Sequence, residues 1–260
     1  MANKFNGIVV TQLVPNGITV YYYDQLDSTN SDKPNDKSLW TVDNYVEHVE
    51  IVRKGLGLEH GNGKQWFLLG QSWGGMLAQE YAIKYGSNAS GIVVSNMCSS
   101  IDVLKDHINN RLRPQIPKDI NDKMLEYESR GEYENPDYTS LMYKYFYNQH
   151  VCRIVPWPIP VELCFYPQHN NSEMYVYMQG PSEMVPGGYL EHWSCVDRLP
   201  SATGNVLFMT GKYDTMPPDD IKKASELVPN AQYWCGNGSH CSHWDDQHAY
   251  FKRLLEFIFQ

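Results

Sequence analysis

Trp66-Phe67-Leu68-Leu69-Gly70-Gln71-Ser72-Trp73-Gly74-Gly75-Met76-Leu77-Ala78-Gln79-Glu80-Tyr81-Ala82 runs from an apolar segment, through a serine between glycines, into a helical pattern. A strand, then G-x-S-x-G, then a helix is the signature of a nucleophile elbow. So tight a turn asks for small residues on both sides of the serine, hence Gly70 and Gly74, and it lifts the Ser72 hydroxyl clear of the sheet. It also aims the Trp73 backbone N–H and the positive end of the helix at the point where an oxyanion would form. The competing reading is a glycine-rich β–α turn with an incidental serine, so the rest of the chain has to decide.

Outward from the elbow, strands and helices alternate. Ile18-Thr19-Val20-Tyr21-Tyr22-Tyr23 is β-branched and aromatic, and reads as a buried strand ending at Asp24. Thr41 is placed to cap a helix reaching to about Lys54, with Val42, Tyr45, Val46, Val49 and Val52 on one face and Gly55 at its end. Beyond the elbow helix, which Gly86 stops, residues 90–97, 205–210 and 231–235 read as strands. Residues 246–259 read as a final helix with Tyr250, Leu254, Phe257 and Ile258 inward. This alternation predicts a mostly parallel, doubly wound α/β sheet.

Between the strand at residues 90–97 and that at residues 205–210 lie about a hundred residues of another character. Helical patterns appear near residues 101–113, 120–130 and 138–150. They are followed by Pro156-Trp157-Pro158-Ile159-Pro160 and by an aromatic stretch around Phe165, Tyr166, Tyr175 and Tyr177. We read residues 100–195 as a helical cap inserted over the C-terminal ends of the strands, where ligands bind in open α/β sheets. The core is then residues 1–99 and 196–260. An independent second domain is the alternative, but the sheet resumes after the insertion.

The chain has 260 residues, enough for a large core, and a net charge of −9 that disfavours nucleic acid or anionic membrane as partner. No segment has the length and apolarity to span a bilayer, and the N-terminal residues lack a secretory h-region, so a cytoplasmic location is expected. Cys98, Cys152, Cys164, Cys195, Cys235 and Cys241 are scattered and are expected to be reduced. No phosphate-cradling glycine loop is present, and no cofactor is suggested. His240-Cys241-Ser242-His243 with His248 is a weak metal pattern, and His240 has a better use.

In α/β-hydrolases the catalytic residues follow the order Ser, Asp or Glu, His. Asp214 lies just past the strand ending at Gly211, and His240 just past the last strand, both where loops gather over the sheet's C-terminal edge. His240 would take the Ser72 proton, and Asp214 would hold the imidazole tautomer and stabilise its charged form. Asp219, Asp220 and His243 are the alternatives for the acid and the base.

Taken together, several segments resemble the proline iminopeptidases and the related L-amino acid amidases. They are Tyr23-Asp24-Gln25, Leu39-Trp40-Thr41-Val42-Asp43, residues 70–78, Gly180-Pro181-Ser182-Glu183, Gly211-Lys212-Tyr213-Asp214 and Asn237-Gly238-Ser239-His240. The resemblance implies the α/β-hydrolase fold with a helical cap. It also implies hydrolysis of N-terminal amino-acyl amides or esters, and acidic cap residues that bind the substrate's free amine. Glu183 matches one of those by position, and a carboxylate near a dry pocket suits an ammonium. Gln71, Trp157 and Tyr175, with Tyr177, complete the expected substrate-binding set. The expected partner is a small molecule or short peptide with a free amine.

Three departures accompany the resemblance. The family's His-Gly-Gly-Pro-Gly loop, source of a second oxyanion donor, does not occur, and the N-terminal part is too short for the early strands. The loss of one such donor costs about 10²–10³ in rate. Gly7 to Val14 reads as a short substitute strand or, preferably, as the helix before Ile18, and a sheet edge left open by missing strands would invite a homodimer. Thr215 follows the triad Asp where the family has an acid, and Asp27 stands where it prefers Gly. The leading expectation is a shortened working hydrolase. The alternatives are a repurposed enzyme doing acyl transfer, cyclisation or other acid/base chemistry on the same triad, or a catalytically impaired homologue.

Overall fold

The computed structural model describes residues 7–28, 30–34, 36–58, 64–165 and 172–260; Tyr166, named above with the cap aromatics, lies outside them. The described residues form an all-parallel four-stranded sheet in the order β1 (Phe67–Gln71), β2 (Gly91–Ser95), β3 (Val206–Gly211), β4 (Gln232–Gly236). Five helices flank it: α1 (Gly7–Leu13), α2 (Val42–Gly55), α3 (Trp73–Tyr85), α9 (Pro218–Leu227) and α10 (Gln247–Ile258). Between β2 and β3 come α4 (Ile101–His107), α5 (Lys118–Ser129), α6 (Pro136–Met142), α7 (Ile159–Phe165) and α8 (Ser172–Gln179).

Period-two alternation in the central strands divides the core in two. Ile92, Val94, Val206 and Phe208 pack with α2, α3 and α9, while Val93, Leu207 and Met209 pack on the other side against α1 and α10. Both faces of β2 and β3 are therefore covered, which is why these strands read as unbroken apolar runs. Thr41 caps α2 as expected, its hydroxyl accepting from the Asn44 amide at 3.2 Å. Residues 7–13 are helical, in line with the favoured reading of that segment.

The Ile18–Tyr23 reading needs correction. Residues 18–25 form no strand. Ile18, Val20 and Tyr22 still turn toward the second core cluster, while Tyr21 is 57% exposed. The segment keeps a strand's alternation without a ladder partner among the described residues. Its β-branched composition reports a fit to a half-buried surface, and strand identity requires a neighbour as well.

The chain leaves the core after β2 and returns before β3 through one stitched neck. Ser100 pairs with Ser194, the Ile101 amide donates to the Trp193 carbonyl and the Cys195 amide to the Ser99 carbonyl, both at 3.0 Å. Beneath it, Glu80 of α3 accepts the Trp193 indole N–H at 2.9 Å and a two-pronged contact from Arg198 at 2.5 and 2.7 Å. Asp27 occupies a left-handed backbone position (φ 62°), the conformation that makes Gly the usual choice there. Its buried carboxylate accepts the Trp40 indole N–H at 2.7 Å, and Trp40 packs edge-on against Tyr177 of α8. No described helix is long and apolar enough to cross a membrane.

Candidate active site

Ser72 sits between β1 and α3 at φ 55°, ψ −121°, a strained backbone position for a non-glycine residue. The turn closes because the Ser72 carbonyl accepts from the Gly75 and Met76 amides at 2.7 and 3.1 Å, and its own amide donates to the Ser95 carbonyl of β2 at 3.0 Å. A Cβ on Gly70 would lie 1.9 Å from the Gly74 carbonyl oxygen, and one on Gly75 would lie 2.7 Å from Met97 Cβ. A Cβ on Gly74 would meet nothing within 4 Å. The small residues that the elbow demands are therefore Gly70 and Gly75. The expectation for Gly74 fails because its Cα faces open space. Trp73 opens α3, so its backbone N–H is among the helix's first donors, which lack an intrahelical acceptor.

His240 Nε2 lies 2.9 Å from Ser72 Oγ, and His240 Nδ1 lies 2.9 Å from Asp214 Oδ1. Asp214 closes the loop after β3, and His240 the loop after β4. The His240 ring is held from the backbone as well: its amide donates to the His150 carbonyl at 2.9 Å, and its carbonyl accepts from Gln71 Nε2 at 3.0 Å. Gln71, expected near substrate, thus spends an amide hydrogen on positioning His240. The alternatives lie elsewhere: Asp220 pairs with Lys223 at 3.0 Å, Asp219 is exposed, and His243 is buried against Trp244 and Tyr250.

Asp214 is 2% exposed and dense with donors. Asn96 Nδ2 donates to Oδ2 at 2.7 Å and Thr210 Oγ1 at 3.0 Å, while the Met216 amide reaches Oδ1 at 3.0 Å. Burial alone would raise its pKa. The attraction and hydrogen bond of His240, with the Met216 and Asn96 donors, outweigh that and hold it below the usual carboxylate value. For His240 burial pulls down, but Asp214 and then Glu183 pull up, and the net shift is upward. Sequence reading missed Asn96 and Thr210. Both stand at the C-terminal ends of inner strands, the position that should have drawn attention to them, and Asn96 adopts φ 54°, which Asn tolerates better than most residues.

Glu183 is 7% exposed in the segment between α8 and β3. Tyr175 Oη donates to its Oε1 at 2.9 Å, with Gln179 Nε2 at 3.4 Å from Oε2. No lysine, arginine or histidine among the described residues forms an ion pair with it. Tyr175 is therefore bound to the carboxylate itself. Trp157 packs with Tyr143, Tyr147 and Phe165 and donates its indole N–H to the Cys152 carbonyl at 3.0 Å. It belongs to the aromatic packing of the inserted segment. Thr215 is fully buried, its hydroxyl 3.4 Å from Asp214 Oδ1.

Residues 2–247 match the sequence profile of the alpha/beta hydrolase fold. The chain is 40% identical over 243 residues to a proline iminopeptidase of Flavobacterium johnsoniae, spanning 93% of this chain and 80% of that one. It is 39% identical to the Chitinophaga pinensis proline iminopeptidase at the same coverage. Among solved structures, that of VinJ superposes with a TM-score of 0.90 at 28% identity, over 98% of this chain and 85% of that one. The proline iminopeptidase of Mycobacterium smegmatis superposes at 0.87, also at 28% identity, over 99% and 85%. By fold and by sequence, the chain belongs to the proline iminopeptidase family of α/β-hydrolases.

Proposed function

We propose that this protein is a serine hydrolase that removes an amino-acyl group bearing a free amine from a small amide, ester or peptide. The observation that carries the reading is a buried carboxylate, Glu183, which pairs with no cation among the described residues and helps raise the pKa of His240 in the hydrogen-bonded set Ser72, His240 and Asp214. Ser72 Oγ attacks the carbonyl carbon while His240 Nε2 takes its proton, and Asp214 stabilises the imidazolium. The proton then passes to the leaving group, and water repeats the sequence on the acyl-enzyme. The Trp73 N–H supports the oxyanion.

Glu183 receives the substrate ammonium, with Tyr175 and Gln179 fixing its two oxygens. An ammonium there exchanges water for a charge-assisted bond in a site already dry. The test is Glu183→Gln. It should raise KM for free-amine substrates at least tenfold while leaving N-blocked esters nearly unchanged; an equal effect on both would remove the amine-binding role. Fluorophosphonate labelling followed by intact mass separates this from the non-hydrolytic alternatives. Wild type should be labelled and Ser72→Ala should not, whereas an unlabelled wild type would move the assignment to other acid/base chemistry.

A further inference from the structure

A concave surface of about 330 Å³, open to solvent, is lined by the exposed Lys144, Arg153, Gln115 and Gln149 together with Tyr145, His150 and Tyr213, and these lining residues include no carboxylate. Among the described residues neither Lys144 nor Arg153 forms an ion pair. Their side chains lie over rings: Lys144 Nζ is 5.1 Å from the Tyr145 ring centroid, and the Arg153 guanidinium carbon is 3.5 Å from that of Tyr213, while the Arg153 backbone amide donates to Asp245 Oδ2 at 3.0 Å.

Stacking engages the face of a guanidinium and leaves its edge donors available, which orients Arg for two-pronged recognition of an oxyanion. The aromatic surface also fixes the side chain before a ligand arrives, so less freedom is lost on binding. Lys144 adds a second positive charge, and the Gln149 amide an uncharged donor. The volume is at the lower end for ligand sites and suits a phosphate or a small carboxylate.

The cavity wall is also the backbone that carries the triad. His150 Nδ1 is 3.0 Å from the Tyr213 carbonyl; since a carbonyl only accepts, Nδ1 bears the proton. Tyr213 precedes Asp214, and the His150 carbonyl accepts the His240 amide at 2.9 Å. The lining contains neither the triad nor Glu183.

We propose that this cavity is an oxyanion-binding site, taking a phosphate or carboxylate through Arg153 and Lys144, separate from the amine-binding carboxylate. The anion comes either free from solution or as the carboxylate tail of a peptide substrate. The test titrates inorganic phosphate into the full chain by calorimetry at constant ionic strength, with chloride as the balancing salt. Wild type should bind saturably, and the double variant Lys144→Gln/Arg153→Gln should lose at least tenfold in affinity with unchanged circular dichroism. Phosphate heat no greater than dilution, or equal binding by the two proteins, would overturn the site. A second arm compares a peptide with its C-terminal amide. If the anion is the substrate's tail, the double variant lowers kcat/KM for the free carboxylate alone; if it is a free anion, both substrates keep their rates while phosphate affinity falls. The calorimetric result stands whether or not the protein hydrolyses peptides, so this proposal and the proposed function fail separately.

Discussion

In the proposed mechanism His240 must be neutral to accept the Ser72 proton and charged a moment later, and its surroundings favour the charged form. Asp214 and Glu183 outweigh burial and raise its pKa above the ordinary histidine value of 6.5. Only the neutral ring serves as base, so kcat/KM is expected to rise with pH through an apparent pKa above 6.5. In Glu183→Gln one source of the upward pull is gone, and that limb should move to lower pH. A pH–rate profile on an N-blocked ester, which does not need Glu183 for binding, checks this; an unmoved limb would contradict the electrostatic coupling. Ser72→Ala should lower turnover by about 10⁴-fold or more, measured on the same ester, and a retained rate would remove Ser72 from the chemistry. Asn96→Ala removes a buried donor from Asp214 Oδ2 and should cost about 1–3 kcal/mol in urea unfolding.

At the scale of elements, what sequence made legible is what local physics decides. The strands β1 to β4, α2 with its Thr41 cap and α10 with its inward Tyr250, Leu254 and Phe257 each announce themselves by periodicity, capping or a glycine stop. That Ser72, Asp214 and His240 would meet was legible, because strand ends followed by loops are readable, and the structure joins them by hydrogen bonds. Asn96, Thr210 and the Gln71–His240 contact were not legible, because each depends on which strands are neighbours. Residues 18–25 show the same limit from the other side: the composition says strand, and the absence of a ladder partner says otherwise. The elbow offers a direct check on how local the argument is. Gly70→Ala and Gly75→Ala should destabilise the fold markedly, because their Cβ atoms would lie 1.9 and 2.7 Å from existing atoms. Gly74→Ala enters open space within α3 and should stabilise it by about 0.5–1 kcal/mol through helix propensity. Melting temperatures of the three variants decide this, and a loss at Gly74 as large as at Gly70 would show that the turn's geometry has been misjudged.

At the scale of the whole molecule, burial of neutral histidines couples folding to pH. His107 and His150 both have lowered pKa values, chiefly because burial penalises the charged ring. His243 is the extreme case, 1% exposed and brought down to about 3 by burial first and by His240 second. A group with a depressed folded pKa contributes stability that is complete above its unfolded value, near 6.5, and is lost as pH falls toward its folded value. His240, with a raised pKa, works in the opposite sense: its contribution is present below 6.5 and fades as pH rises through the folded pKa. Between about pH 6 and 4 the unfolded chain therefore holds one more proton at position 243 than the native protein does, which corresponds to about 1.4 kcal/mol per pH unit. His243→Phe keeps an aromatic ring against Trp244 and Tyr250 while removing that proton. Whatever the variant does to stability at pH 8, its stability should fall less steeply with acid than the wild type's, by about 1.4 kcal/mol per pH unit over that window. Urea unfolding at a series of pH values measures both slopes. Parallel curves would mean that His243 titrates in the native state as freely as in the unfolded chain, which its burial beside Tyr250 does not allow.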